Sequence, residues 1–521
     1  MKKNKFNIYT AIVYTTGKPH IGNTYEIILT DAIARYKRAQ GFEVYFQTGT
    51  DEHGQKIEKK ALDNNKNPQQ FVDEVTVEVK KVWEAVNSSH DRFVRTSDEK
   101  HKAAVANLFE YLYEKGDIYK GYYEGMYCVP CESFWSSSQA EDCCCPDCNR
   151  TLEHSKEAAY FLRLSKYAKQ LEEHIAANPE FIQPESRKNE IINQFLKPGL
   201  EDLCVSRSSF NWGVKVPFDE SQVIYVWLDA LTNYITFVGF DGRKTSAEFH
   251  DYWPADLHVL GKDIVRFHAI YWPIILMAAE LPLPKQILGH PWVLLNEDKM
   301  SKSKGNLIYA DELVADFGVD AVRFYFLSQV PYANDGFFSY EMLIDKVNSE
   351  LANNVGNLIN RTLKMVEKYN DGVIPKPTNS DEKDEQLQQN VVKLCDEAIA
   401  KMDEYRVAES LNLVIDIFNH ANKYIEEKEP WRLAKEANPA LNTVLYNLVE
   451  TIKQGATLLQ PFLPDTATNI FAQLNSKPIA IKDLVSYSDE LVGKPIGTRK
   501  VLFARIDKEA KLKELVNKTT S

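Results

Sequence analysis

Apolar positions in the first hundred residues switch between two periods. Phe6, Ile8, Ala11, Ile12 and Val13 form a strand-like run that ends in a Gly17/Pro19 turn. Residues 24–40 then carry apolar side chains at helical spacing and stop at Gly41, and residues 42–47 read as a second strand. Strands alternating with helices in this way predict a parallel sheet, with ligands at the carboxyl ends of its strands. Residues 117–218 break the alternation with cysteines, many aromatics and short strands, the pattern of an inserted domain. The α/β pattern resumes over 219–338, with strands expected at 223–227, 257–260 and 286–288. From 339 to 521 the period is helical, with helices expected at 340–370, 385–405, 407–427 and 439–459 and a linker near 372–380. The expected domains are therefore 1–116, 117–218, 219–338 and 339–521.

Composition narrows the class. A chain of 521 residues has room for about three or four domains. Its 44% hydrophobic and 26% charged content is that of an ordinary globular protein. A net charge of −12 excludes a uniformly basic surface but leaves room for local patches that grip RNA. Met1-Lys2-Lys3-Asn4-Lys5 leads straight into the first strand without the apolar region of a signal peptide. The longest apolar run, 269–283, is broken by Pro273 and Glu280 and is too short to span a bilayer. A cytoplasmic protein without membrane contact is expected.

Six of the eight cysteines cluster: Cys128, Cys131, Cys143, Cys144, Cys145 and Cys148. In a reducing compartment such a cluster points to a metal rather than to disulfides, with free thiols as the alternative. Cys128-Val129-Pro130-Cys131 and Cys145-Pro146-Asp147-Cys148 are both C-x2-C knuckles, a spacing that turns two thiolates toward one tetrahedral Zn²⁺. Cys143 and Cys144 compete with Cys145 for its position. Four thiolates leave no open coordination position, so the expected role of the zinc is structural.

Two further stretches are built to hold phosphate. His20-Ile21-Gly22-Asn23 follows a tight turn and opens a helix, where unpaired N–H groups face an anion. Lys299-Met300-Ser301-Lys302-Ser303 places two lysines and two serines on a short loop before Gly305. In this order the pair resembles the two signatures of class I aminoacyl-tRNA synthetases. The resemblance narrows to the methionyl-tRNA synthetases through Ala11-Ile12-Val13-Tyr14, Gly49-Thr50-Asp51-Glu52-His53-Gly54, Tyr225-Val226-Trp227-Leu228-Asp229-Ala230 and Gly261-Lys262-Asp263-Ile264-Val265-Arg266-Phe267-His268. Val13 stands where the family often has proline, and Asn23 replaces the final histidine of the first signature. Asparagine still donates a hydrogen bond but carries no charge, which changes the expected balance of phosphate and ribose contacts.

The resemblance implies a Rossmann-like α/β catalytic domain with a zinc-bearing insertion, followed by an all-α anticodon-binding bundle. The stretch between Asn23 and Lys299 leaves no room for the large editing domain of the isoleucine, valine and leucine enzymes. The cysteinyl enzymes, whose zinc ligands are scattered, are disfavoured by the local knuckles. The implied reaction is attack of the methionine carboxylate on the α-phosphorus of ATP, followed by aminoacyl transfer to tRNA(Met), including the initiator. Positioning and charge stabilisation do the catalytic work. Catalytic roles fall to His20, Asn23, Lys299 and Lys302, and ATP contacts to Lys18, His20, Gly22, Asn23 and Lys302, with Mg²⁺ bridging the phosphates.

For the amino acid, the family match gives Ile12, Tyr14, Asp51, Trp227, Tyr234, Ile264, Phe267 and His268. Aromatic walls suit a polarisable sulfur, and Asp51 is placed to hold the substrate ammonium. Simple core packing of Trp227, Ile264 and Phe267, a helix N-cap role for Asp51 and a core role for His268 stay open. In the helical part the match gives Asn357, Arg361 and Trp431 as anticodon contacts; Asn357 and Arg361 share a helix face, and Trp431 is a flat partner for an unstacked base. The chain ends at Ser521 without the oligomerising domain of some relatives, so a monomer is expected. The alternatives are a nucleotidyltransferase of the same superfamily that never touches RNA, and a catalytically dead tRNA-binding paralogue.

Overall fold

The computed structural model describes residues 4–520, apart from 132, 136–142, 147, 296–297, 300–306 and 485. The strand Lys5–Thr10 lies between two parallel neighbours, Glu43–Asp51 and Leu257–Gly261, with Ile8 facing Phe46 on one side and Leu257 on the other. All three side chains are fully buried, as expected where helices cover both faces of a parallel sheet. Ile287–His290 and Ile182–Gln183 extend the sheet beyond Leu257–Gly261, while Val13–Tyr14 and Arg92–Arg95 both pair with Glu43–Asp51. Successive connections run outward in opposite directions from Lys5–Thr10. The carboxyl ends of Lys5–Thr10 and Leu257–Gly261 therefore part around a crevice at this switch point.

The first helix runs Ile21–Ala39, close to the expected 24–40. The expected strand at 223–227 is corrected. The strand is Asp219–Ile224, antiparallel to Ser206–Arg207 and Lys215–Val216, and the chain turns helical over Val226–Thr236. Trp227 thus stands on a helix. Its polar residues Asp229, Thr232, Asn233 and Thr236 fall at helical spacing, but they follow the short apolar run at 223–227, and such a run does not separate strand from helix.

Residues 117–218 contain the antiparallel sheet Ser133–Trp135, Ile118–Cys128, Glu153–Leu162 and Leu203–Cys204. The same stretch also supplies Ile182–Gln183 to the catalytic sheet and the helix Leu164–Ala177 packed on Trp272–Ala278, so it is not wholly an insertion.

The C-terminal part is helical. Tyr340–Lys346, a π-helical stretch Val347–Gly356 and Asn357–Asn370 run on as one rod over the expected 340–370. Glu382–Asp403, Val407–Lys428 and Ala440–Leu459 match the other expected helices. Pro430–Lys435, Pro464–Leu474 and Lys508–Thr520 were not anticipated. One apolar core runs from the signature helix into this bundle. At the seam Arg323, fully buried, pairs with Asp31 at 2.7 Å and donates to the carbonyls of Val86, Pro461 and Phe462. Arg323 and Arg35 together hold the Asp31 carboxyl below its ordinary range against the opposing effect of burial. No helix among the described residues is long and apolar enough to cross a membrane.

Candidate active site

A cavity of about 370 Å³ opens at the switch point. Of the residues expected around methionine, Ile12, Tyr14, Asp51, Trp227, Tyr234, Ile264, Phe267 and His268 all line it, together with His20, Gly22 and Asn23. These side chains come from strand ends, from the start of the signature helix, from the helix Val226–Thr236 and from the turn after Leu257–Gly261. Residues far apart in sequence converge because each follows a strand end.

The first signature is a capped helix start. His20 is the N-cap; its Nδ1 accepts the Gly22 N–H at 3.1 Å, and Asn23 Oδ1 accepts the His20 N–H at 3.3 Å. The asparagine thus folds back on its own helix as the acidic or amide member of a capping box does. With Nδ1 accepting, the neutral ring of His20 carries its hydrogen on Nε2.

Lys18 is placed away from the cavity lining. Its ammonium pairs with Asp311 at 2.8 Å and Glu312 at 3.4 Å and lies 4.4 Å from the Tyr309 ring centre. The Ile21 N–H donates to the Ile308 carbonyl at 2.9 Å, so the signature helix start is tied to the chain that follows the lysine loop. Lys299 belongs to the short strand Asp298–Lys299, but its side chain, like all of Lys302, lies outside the described residues.

The apolar half of the cavity is an aromatic box. Trp227 stacks on Phe267, with ring centres 3.9 Å apart and planes 8° apart. His268 Nδ1 faces the Ile264 carbonyl at 3.0 Å, so it must carry the hydrogen; Nε2, 2.8 Å from the Tyr234 hydroxyl, then accepts. Burial pushes the His268 pKa down to about 4, which keeps that ring neutral. Behind the box, Asp229 accepts from His53 at 2.6 Å and from His101 at 2.8 Å, tying the loop after Asp51 to the helix that carries Trp227. Despite full burial, these two histidines hold its carboxyl down to about 2.

Several lining residues escaped the sequence reading: Glu26, Asn233, Asp263, His290 and Trp292. Glu26 Oε2 accepts the Gly261 N–H at 3.1 Å and lies 3.2 Å from His290 Nε2. His290 Nδ1 donates to the Pro291 carbonyl at 2.8 Å, so a single proton, on carboxyl or ring, joins Glu26 to His290. Burial pushes the Glu26 carboxyl up. A signal was available, since Glu26 follows Asn23 by one helical turn and His290 ends the strand Ile287–His290.

The Sγ atoms of Cys128, Cys131, Cys145 and Cys148 all lie within 4.8 Å of one another, with Cys128 and Cys148 3.6 Å apart. A tetrahedral zinc with Zn–S bonds of 2.3 Å would set its sulfurs about 3.8 Å apart, so these four fit the ion. Cys143 is exposed at positive φ, Cys144 bridges to Thr151, and neither belongs to the group. Pro130, Cys131 and Cys148 also line the large cavity, so the knuckles form part of its wall.

In the bundle, Trp431 is 43% exposed on the short helix Pro430–Lys435, entered through Glu429 at φ 44°. Arg361 pairs with Glu426 at 2.8 Å, and Asn357 lies exposed one turn before it.

This fold and this site are those of a class I aminoacyl-tRNA synthetase, and residues 6–363 match the family described as "tRNA synthetases class I (M)". Residues 374–518 match the "Anticodon binding domain of methionyl tRNA ligase". The methionine–tRNA ligase of Clostridium acetobutylicum is 49% identical over 516 residues, covering 99% of this chain and 80% of that protein. That of Clostridium perfringens is 49% identical over 517 residues, with the same two coverages. Among solved structures, the Mycobacterium tuberculosis methionyl-tRNA synthetase in complex with methionyl-adenylate superposes with a TM-score of 0.91 at 38% identity, over 96% of this chain and all of that one. The chain belongs to the methionyl-tRNA synthetase family.

Proposed function

We propose that this chain activates L-methionine with ATP to methionyl-adenylate, releasing pyrophosphate, and transfers the methionyl group to tRNA(Met), the initiator included. The observation that carries the reading is the cavity itself, which sets an aromatic box and a carboxylate opposite a capped helix start. The thioether lies against the stacked pair of Trp227 and Phe267 and against Tyr234, with neutral His268 at the end of the box. Asp51 holds the ammonium, which leaves the carboxylate directed toward the α-phosphate. His20, through Nε2–H, stabilises the phosphates from one side, with the positive end of the helix Ile21–Ala39 behind it. Lys299 and Lys302 close from the other, with Lys302 taking the larger share of the transition-state charge. Lys18 becomes available to phosphate when ATP competes with Asp311 and Glu312 for it.

Mg²⁺ arrives with ATP and neutralises its phosphates. Zn²⁺ on Cys128, Cys131, Cys145 and Cys148 fixes the fold of the knuckles beside the cavity. Asn357, Arg361 and Trp431 read the anticodon. The test is methionine-dependent exchange of labelled pyrophosphate into ATP by the purified protein. Exchange with methionine, and none with leucine, isoleucine or cysteine at equal concentration, is expected. No methionine-dependent exchange, with tRNA binding intact, would identify a dead paralogue instead.

A further inference from the structure

The zinc knuckles and the methionine cavity share a wall, and a guanidinium is buried in that wall. Arg266, only 9% exposed, directly precedes Phe267. Its guanidinium carbon lies 4.4 Å from the ring centre of Trp135, 4.8 Å from that of Phe267 and 5.3 Å from that of Phe195. Trp135 is buried in the small core that contains Cys128, Cys145 and Leu152, with Cys131 and Cys148 packed against it. Phe267 lies on Trp227 inside the cavity. An unbroken series of contacts thus runs from the four thiolates through Trp135, Arg266 and Phe267 to Trp227.

A buried guanidinium is costly unless something compensates it. Aromatic faces supply part of that compensation. The knuckles act through Trp135, whose ring packs in the same small core as Cys128 and Cys145. The guanidinium therefore has reason to stay between Trp135 and Phe267 while the knuckles are metallated. Without metal, the small core around Trp135 loses the ion that holds its two halves together.

We propose that Arg266 is a positioning residue that makes the Phe267–Trp227 wall depend on the metallated knuckles, so that methionine binding and zinc binding reinforce each other. The proposal rests on the methionine reading of the cavity given above. Arg266 touches no reacting atom; it acts by holding Phe267 at the angle at which Trp227 stacks on it. Coupling of this kind is reciprocal. If zinc tightens methionine binding by some factor, saturating methionine must tighten zinc binding by the same factor.

The experiment uses the full chain with one zinc per molecule. Zinc affinity is measured by competition with a chromogenic chelator, with and without saturating methionine, in the wild type, Arg266→Met and Arg266→Lys. Methionine affinity of the metallated and metal-stripped forms is followed by intrinsic tryptophan fluorescence. The expected result is an equal factor of about tenfold in both directions for the wild type. Arg266→Met should show less than twofold in either direction while its methionine KM rises about tenfold and its KM for ATP stays within twofold. Arg266→Lys keeps the charge but not the planar stack, and should fall between the two. Equal coupling in the wild type and Arg266→Met, or no effect of methionine on zinc affinity in the wild type, would overturn the proposal. So would parallel loss of melting temperature, kcat and both KM values in the two variants, since that is the mark of a residue that only packs. Absence of methionine-dependent exchange in the wild type would instead refute the reading of the cavity, so the two failures are distinguishable.

Discussion

The indole of Trp227 lies flat against the ring of Phe267, 3.9 Å between centres, although one side chain stands on the helix Val226–Thr236 and the other in the π-turn Phe267–Tyr271. Neither element could set this wall alone. The stack presents a continuous π surface to the cavity, and a polarisable sulfur against it gains more than a methylene would.

Removing the indole takes away one face of the thioether slot and leaves Phe267 without its stacking partner. Trp227→Ala should raise the methionine KM in pyrophosphate exchange by about tenfold to a hundredfold, or about 1.4–2.8 kcal/mol. The KM for ATP should stay within about twofold. Trp227→Phe should recover most of the loss. An unchanged methionine KM in Trp227→Ala would show that the thioether binds elsewhere in the cavity.

His268 supplies a pH dependence with a definite sign. Its folded pKa of about 4 lies below the unfolded value near 6.5. Between those values the unfolded chain binds more protons, so stability falls as pH drops below about 6.5 and levels off near pH 4. The full effect of this one residue is about 3 kcal/mol. His258, buried beside it 6.2 Å away between ring centres, is held neutral in the same way and adds in the same direction. Denaturant midpoints should therefore be flat from pH 8 to 7 and fall from pH 6 to 5, with a shallower fall in His268→Gln. Equal slopes in the two proteins would show that His268 is not the buried neutral group.

Much of the fold was legible because its patterns are local. The run from Phe6 to Val13, the turn at Gly17 and Pro19 and the helix ending near Gly41 are each written in adjacent residues. The bundle helices Glu382–Asp403 and Val407–Lys428 have exposed polar faces that disclose their period. In Val226–Thr236 the polar stripe Asp229, Thr232, Asn233, Thr236 comes only after the apolar run at 223–227, which reads as strand. Ile182–Gln183 is too short to register as a pattern and gains its place only by pairing with Ile287 and Leu288. The site was legible where a family signature carries the residue, as at His20, Asp51 and His268. Glu26 and His290 were not, because their pairing joins residues 264 positions apart through a strand crossover. The stack of Arg266 between Trp135 and Phe267 depends in the same way on tertiary packing alone.

The cysteine cluster separates ligands from bystanders. Cys145→Ser removes one of four converging thiolates and should lower zinc content from about one per chain to well below half, with a lower melting temperature. Cys143→Ser alters an exposed side chain outside the group and should leave zinc and stability unchanged. Metal analysis of both purified variants decides the matter. Zinc lost from Cys143→Ser but kept in Cys145→Ser would reverse the assignment.

Trp431 tests whether the bundle reads RNA. Trp431 keeps 43% of its surface exposed on the short helix entered through Glu429 and Pro430. An anticodon base pulled from its stack needs such a flat partner, and that contact is worth about 1–3 kcal/mol. Trp431→Ala should therefore raise the KM for tRNA in aminoacylation by about tenfold or more. Pyrophosphate exchange, which proceeds without tRNA, should stay near the wild-type rate, and the melting temperature should shift little. A packing residue would behave otherwise, lowering stability and damaging both steps together. If aminoacylation is unaffected, the base stacks elsewhere and Asn357 and Arg361 become the next residues to replace. In Arg361 the pair with Glu426 must open before the guanidinium can reach a base. Glu426→Gln should then lower the KM for tRNA, because it removes the competitor for that side chain.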